Sequence, residues 1–155
     1  MKKIYTLGLR TLITGILYFN RNPYRTIPAG NSVVSPADGT IVDIVNNRIE
    51  IFIGITDIHY QRAPYSGIIT NIIEAKEYNL IEMDTPLGYI TVERWAGKLA
   101  KTVLTNVKIG DIVNKGNVIG RILLGSHTAI TIPPYLTLKV VKGQHVIAGE
   151  TIIAE

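Results

Sequence analysis

Among the residues of this 155-residue sequence whose types could serve a nucleophilic reaction are Ser126, directly after Gly125; His59; and Asp38. A serine hydroxyl is a weak nucleophile until a base takes its proton. Imidazole suits that task near neutral pH, and a carboxylate can orient it and stabilise its charged form. The three lie far apart in the chain, so the fold must bring them together.

Taken singly, each has an ordinary explanation. Asp38 sits in the turn Ser35-Pro36-Ala37-Asp38-Gly39, and Asp-Gly is a common turn pair. Ser126 lies in Leu123-Leu124-Gly125-Ser126-His127-Thr128, with neither a Gly-x-Ser-x-Gly elbow nor a Ser-x-x-Lys motif around it, so an ordinary serine hydrolase is not supported. His127 follows the serine directly, and adjacent residues of a strand point to opposite faces. His145 reads as a surface or turn residue. His59, in a polar stretch ending Arg62-Ala63-Pro64, is therefore the general-base candidate. No His or carboxylate spacing matches a metal site, and the absence of Cys removes thiolate ligands, thiol nucleophiles and disulfides.

The elements that must position these residues read as strands. Hydrophobic residues make up 46% of the chain and charged residues only 18%, with Ile, Val and Thr frequent, which favours β structure in one domain. From residue 31 onward, short apolar runs alternate with Gly or Pro turns. Strands are predicted at residues 32–34, 40–45, 49–55, 67–73, 80–83, 88–92, 101–107, 117–123, 129–132, 137–141 and 150–153. That spacing predicts an all-β sandwich or barrel. Two internal echoes stand out. Ser35-Pro36-Ala37-Asp38-Gly39 is matched by Ala63-Pro64-Tyr65-Ser66-Gly67, and residues 108–116 are matched by 141–149. The echoes resemble the barrel-sandwich hybrid fold of lipoyl and biotinyl domains. None of the lysines has the Met-Lys-Met or Asp-Lys-Ala setting of a carrier domain, so that fold is expected without its carrier chemistry.

The N-terminal part differs. The first 25 residues carry Lys2, Lys3, Arg10, Arg21 and Arg25 and no acid. Residues 4–19 are apolar but interrupted by Arg10, too short for a span of roughly 20 apolar residues. The pattern is that of an amphipathic helix, expected to lie in the plane of an anionic membrane surface, with packing on the domain's own core as the alternative, and ended by Asn22-Pro23 and Ile27-Pro28. Nucleic acid is the competing partner for a basic segment, but no recognition helix or aromatic-rich binding motif follows.

Read together and in order, the segments resemble the phosphatidylserine decarboxylase family, in its short, archaeal-like branch. The resemblance runs from about Phe19 to the end. It rests on Phe19-Asn20-Arg21-Asn22-Pro23-Tyr24-Arg25-Thr26-Ile27-Pro28, on Val34 to Gly39, on Asp57 to Gly67, on the region from Trp95-Ala96-Gly97 to Gly120, and on Leu124-Gly125-Ser126 followed by Ile130-Thr131-Ile132-Pro133. Asn22 stands where the family usually has an acid, and Arg62 where longer members have a second histidine.

The resemblance implies a membrane-associating helix and linker at 1–25 and a decarboxylase domain at 26–155. It implies self-cleavage between Gly125 and Ser126, with Ser126 attacking the Gly125 carbonyl, His59 as base and Asp38 orienting it. Elimination and hydrolysis would convert Ser126 into a pyruvoyl group, the covalent cofactor, and leave a second chain of 30 residues. The pyruvoyl carbonyl would serve as the electron sink when a phosphatidylserine, or its archaeal ether-lipid equivalent, loses carbon dioxide. The expected setting is peripheral, on the cytoplasmic membrane face, with the two cleaved fragments held together and a homo-oligomer as a further expectation. The alternative is a non-enzymatic barrel-sandwich module or an inactive relative at the membrane.

Overall fold

The computed structural model describes residues 14, 15, 17, 18, 20–97, 103–122 and 126–155. Among the described residues the strands are β1 (Val33–Val34), β2 (Gly39–Val45), β3 (Arg48–Ile53), β4 (Tyr60–Arg62), β5 (Gly67–Glu74), β6 (Tyr78–Thr85), β7 (Gly88–Trp95), β8 (Val103–Thr105), β9 (Ile112–Val113), β10 (Val118–Ile122), β11 (Ser126–Thr131), β12 (His145–Val146) and β13 (Ile152–Ala154). They form three open, antiparallel sheets, ordered β12-β2-β3-β11-β7-β6-β5-β9, β4-β10-β8 and β1-β13. The molecule is thus mostly β, as its Ile- and Val-rich composition predicts.

The core follows from strand alternation, which sends every second side chain inward. Ile41, Ile49, Ile51, Ile53, Ile90 and Ile130 make one buried cluster, and Ile69, Ile81, Met83, Val92, Val113 and Ile119 make a second. Burying each such side chain is worth about 1.5–3 kcal/mol.

The two sequence echoes become a structural repeat. Gly39 and Thr40 at the head of β2 pair with Val146 and His145; Gly67 and Ile68 at the head of β5 pair with Val113 and Ile112. The Ile41 N–H donates to Gln144 and the Ile41 carbonyl accepts from Gly143; Ile69 does the same with Asp111 and Gly110. Val34 N–H donates to Pro64 O at 3.0 Å and Arg62 N–H to Pro36 O at 2.8 Å, so the two Pro-x-x-Gly turns grip each other crosswise. In this repeat Ser66 is the counterpart of Asp38, and Lys115 of Ala148. The Ala148 N–H donates to Asp38 Oδ1 at 2.9 Å and the Lys115 N–H to Ser66 Oγ at 2.9 Å.

Several boundaries differ from the sequence pattern. The expected strand at 137–141 contains only a bridge from Leu138 to Ala154. The strand β4 was not predicted, because three residues carry no readable alternation; β9 and β12 are the short strands between the two Gly turns of the echoed units 108–116 and 141–149. Thr14, Gly15, Leu17 and Tyr18 are helical. The rest of the expected N-terminal helix, with Arg10, lies outside the described residues. No described helix is long and apolar enough to cross a membrane.

Candidate functional site

Ser126 is the first residue of β11, the strand that runs between β3 and β7 near the middle of the large sheet. It pairs with Ile53, and its neighbour His127 pairs with Phe52 on one side and Trp95 on the other. Ser126 is fully buried, and its Oγ has no hydrogen-bond partner among the described residues. An uncommitted buried hydroxyl is uncommon and calls for a functional explanation. Gly125, the other half of the expected scission site, lies outside the described residues.

His127 points to the opposite face, as alternation requires. Its ring stacks on Trp95 with centroids 5.7 Å apart, meets Phe52 edge-on, and its Nδ1 is 2.7 Å from Glu50 Oε1. These contacts fasten β11 from the outer face without touching the inner one. His145 is exposed, with Nε2 3.0 Å from Asp57 Oδ1.

His59 immediately precedes β4 and is almost entirely buried. Its carbonyl accepts the N–H of Ile122 at 3.1 Å, which ties it to the end of β10, four residues before Ser126. The loop leading to it is shaped by Asp57, whose Oδ2 accepts the Gly54 N–H at 2.8 Å. Burial is the main cause that pushes the His59 imidazole below the ordinary histidine range, and the charges of Arg21 and Arg121 act the same way. Asp57 opposes them through a backbone hydrogen bond and its charge. The result favours a neutral imidazole, the form that can take a proton.

Asp38 reaches the same region from another side. Register carries Thr40 to Phe52 and Phe52 to His127, so the turn at Asp38-Gly39 lies across β3 from Ser126, about 10 Å away at two strand spacings. The glycine after Asp38 is required: a Cβ on Gly39, at φ 149°, would collide with the Phe52 carbonyl oxygen. The Asp38 carboxylate accepts two hydrogen bonds from Arg25 Nη2, at 2.8 and 2.9 Å, and one from the Ala148 N–H. Its hydrogen bonds run to Arg25 and Ala148. Arg62 donates from Nη1 to Gly116 O at 2.8 Å and from Nη2 to Asn22 Oδ1 at 2.6 Å. The amide at position 22 thus holds the guanidinium that an acid there would have paired with.

The sequence pattern missed a set of buried polar residues beside Ser126. Thr128 lies two residues on, on the same inner face, and its hydroxyl also has no partner among the described residues. Across the strand pair from Thr128 is Arg94, fully buried, with its guanidinium pushed down to about 10 by desolvation. Arg94 donates to Asn79 Oδ1, to Thr105 Oγ1 at 2.9 Å and to the Leu104 carbonyl at 3.2 Å. It packs over the backbone of Gly120, which pairs with Gln61. Gln61 is buried too, donating to the His59 carbonyl at 2.9 Å. The signal was present: Ile90, Val92 and Arg94 share the inward parity of β7, and an arginine there must be buried.

The family profile described as phosphatidylserine decarboxylase matches residues 13–80 and 70–154. A Methanosarcina mazei protein named "Putative archaetidylserine decarboxylase proenzyme" is 34% identical over 166 residues, covering 97% of this chain and 79% of its own. Phosphatidylserine decarboxylase proenzymes of Carboxydothermus hydrogenoformans and Ehrlichia chaffeensis are each 34% identical, over 96% of this chain and 84% and 80% of theirs. No solved structure matches the chain at a significant level. The chain belongs to the phosphatidylserine decarboxylase family.

Proposed function

We propose that this protein is a self-processing, pyruvoyl-dependent decarboxylase of a serine phospholipid. The observation that carries the reading is Ser126: a fully buried serine on a central strand, its hydroxyl uncommitted, in a member of a family whose relatives are named proenzymes. In the processing step Ser126 Oγ attacks the carbonyl carbon of Gly125 while His59 accepts the hydroxyl proton. The peptide bond becomes an ester and the Ser126 amine is freed; loss of the Ser126 α-proton would then break the Cβ–Oγ bond, leaving a Gly125 carboxylate and a dehydroalanine that water hydrolyses to a pyruvoyl group with release of ammonia, while the pairing of β11 with β3 and β7 holds the new end in place. Asp38 enters as the carboxylate across β3. Because Arg25 engages it, orienting His59 would require that ion pair to open. A pyruvoyl group at position 126 supplies a carbonyl electron sink for loss of carbon dioxide. His59, once protonated, returns a proton to the substrate carbon.

The structural repeat supports a barrel-sandwich hybrid as the finer fold description. The basic, acid-free N-terminal residues support a peripheral position at the cytoplasmic membrane face, where a lipid can be taken up. The cleaved fragments, 1–125 and 126–155, remain each other's partners, and a homo-oligomer is compatible with this arrangement. A second reading, an inactive relative or non-enzymatic module, is favoured by Arg62 and by the engagement of Asp38 with Arg25. Intact-mass analysis separates the two. The enzyme yields two fragments, the smaller of 30 residues with a blocked N-terminus, and Ser126→Ala stays one chain without decarboxylase activity. A chain that remains whole and inactive without any substitution refutes the proposal.

A further inference from the structure

Residues 22–27, Arg62 and the turn between β9 and β10 enclose a cleft of about 510 Å³. That size suits a small ligand. Three cations line it, Arg25, Arg62 and Lys115, and no carboxylate does. Arg25 is balanced by Asp38. The other two are not balanced within the cleft. Arg62 spends its donors on the oxygens of Gly116, Asn22 and Pro23, and Lys115 Nζ on the carbonyls of Gly30 at 2.9 Å and Ser32 at 3.1 Å. Neutral oxygens hold these side chains in place but leave their charge standing. Glu150, whose Oε1 accepts the Thr26 N–H at 2.8 Å, and Asp38 act on Arg62 through space, against the like charge of Arg25, and neither is hydrogen-bonded to it.

Further observations point to an anion. The Nε atoms of Arg25 and Arg62 are buried without a hydrogen-bond partner, and the side chain of Arg25 is only 8% exposed. Asn22 and Asn117 each commit their amide oxygen, to Arg62 and to the Asn114 N–H, which leaves their amide nitrogens as the ends that can meet a ligand. The structural repeat sharpens the contrast. The half that carries Asp38 and Ala148 pairs an acid with a neutral residue; the half that carries Ser66 and Lys115 has no acid and a cation instead.

We propose that this cleft binds a phosphate-class oxyanion, and that Asn22 is what makes it available. An acid at position 22 would place a carboxylate directly on Arg62; the amide keeps the guanidinium positioned with neutral oxygens alone in contact with it. Donors from three separate segments suit a tetrahedral anion better than a planar carboxylate, and guanidinium is the preferred partner of phosphate. The source is either the phosphodiester of a lipid headgroup or free phosphate. The headgroup source rests on the decarboxylase reading; the anion site does not.

The test uses the full chain with Ser126→Ala, titrated by NMR with inorganic phosphate and, separately, with glycerophosphoserine. Saturable shifts of the backbone amides of Lys115, Gly116 and Asn117 are expected. Tighter binding of the diester assigns the site to a headgroup; equal or tighter binding of inorganic phosphate assigns it to the free anion. Asn22→Asp, which supplies an internal acid without removing a structural hydrogen bond, weakens binding by about tenfold or more. Lys115→Gln weakens it by at least about threefold. Absence of shifts with both probes, or an Asn22→Asp affinity within about twofold of the parent, overturns the proposal. Self-scission of the unsubstituted chain is scored separately. A chain that binds but is not cut refutes the decarboxylase reading alone; one that is cut but does not bind refutes the anion site alone.

Discussion

The Arg25–Asp38 pair offers a quantitative check on how the site is assembled. Both side chains are largely buried, at 8% and 9% exposure, and both hydrogen bonds between them are short. Removing one partner of such a pair leaves the other charge uncompensated, at a cost of about 3–5 kcal/mol. The two partners are not equivalent. Arg25→Met leaves a carboxylate with one remaining donor, the Ala148 N–H, and should cost about 3–4 kcal/mol. Asp38→Asn keeps an acceptor for that N–H, and the stranded Arg25 borders a cleft that water can enter, so about 2 kcal/mol is expected. The double variant removes both charges and should cost about 2 kcal/mol, a coupling of roughly 3–4 kcal/mol. For a domain of roughly 5–15 kcal/mol this is a large fraction. Urea unfolding on the Ser126→Ala background reads it without interference from scission. With a slope near 2 kcal/mol per molar, Arg25→Met moves the midpoint down by roughly 1.5 M. Additivity of the two single changes to within about 0.5 kcal/mol would refute the reasoning.

Two more outcomes follow from the buried groups. His59 is held neutral by burial while the unfolded chain protonates near the ordinary value of about 6.5. The unfolded state therefore binds the extra proton, so stability rises with pH up to about 6.5, levels off above it, and falls on acidification below it. His59→Gln should flatten that acid limb in pH-dependent unfolding, and an unchanged limb would count against the assignment. Gly120→Ala places a Cβ inside the space of the Arg94 guanidinium and the Leu104 carbonyl, and the backbone carbonyl cannot yield cheaply. A loss of about 1–3 kcal/mol is expected by thermal or urea unfolding; a change under about 0.5 kcal/mol would show that Arg94 does not bind there.

The sequence was legible where side-chain alternation and turn residues carry the signal. Residues 40–45, 67–73 and 88–92 are strands because their β-branched side chains alternate around Gly starts. The two echoes were visible because the same Gly and Pro positions close the same turns. What stayed hidden were contacts set by tertiary packing. Tyr60-Gln61-Arg62 looks like loop because its inward residue is a glutamine, and a buried glutamine is recognised only once β10 is beside it. The strand β11 was expected to begin at 129, since Ser126-His127-Thr128 has no apolar rhythm; its first inward residues, Ser126 and Thr128, are small and polar. Asp38, His59 and Ser126 are singled out as a set only through the family resemblance of their segments. Local sequence does not encode that Arg25, 13 residues upstream, occupies Asp38.

The strand β11 is hydrogen-bonded to β3 and β7, β12 to β2, and β13 to β1. All four partners belong to the segment before Ser126. Scission would turn one molecule into two that are threaded through each other, with no interface at which the short piece could be peeled away intact. Native, the cut protein should hold together like the uncut one. Denatured, it would face a bimolecular search that the precursor never faced, and its recovery would depend on concentration. Folding would then be a one-way journey made before the cut, and the mature form would persist only as long as it never unfolds.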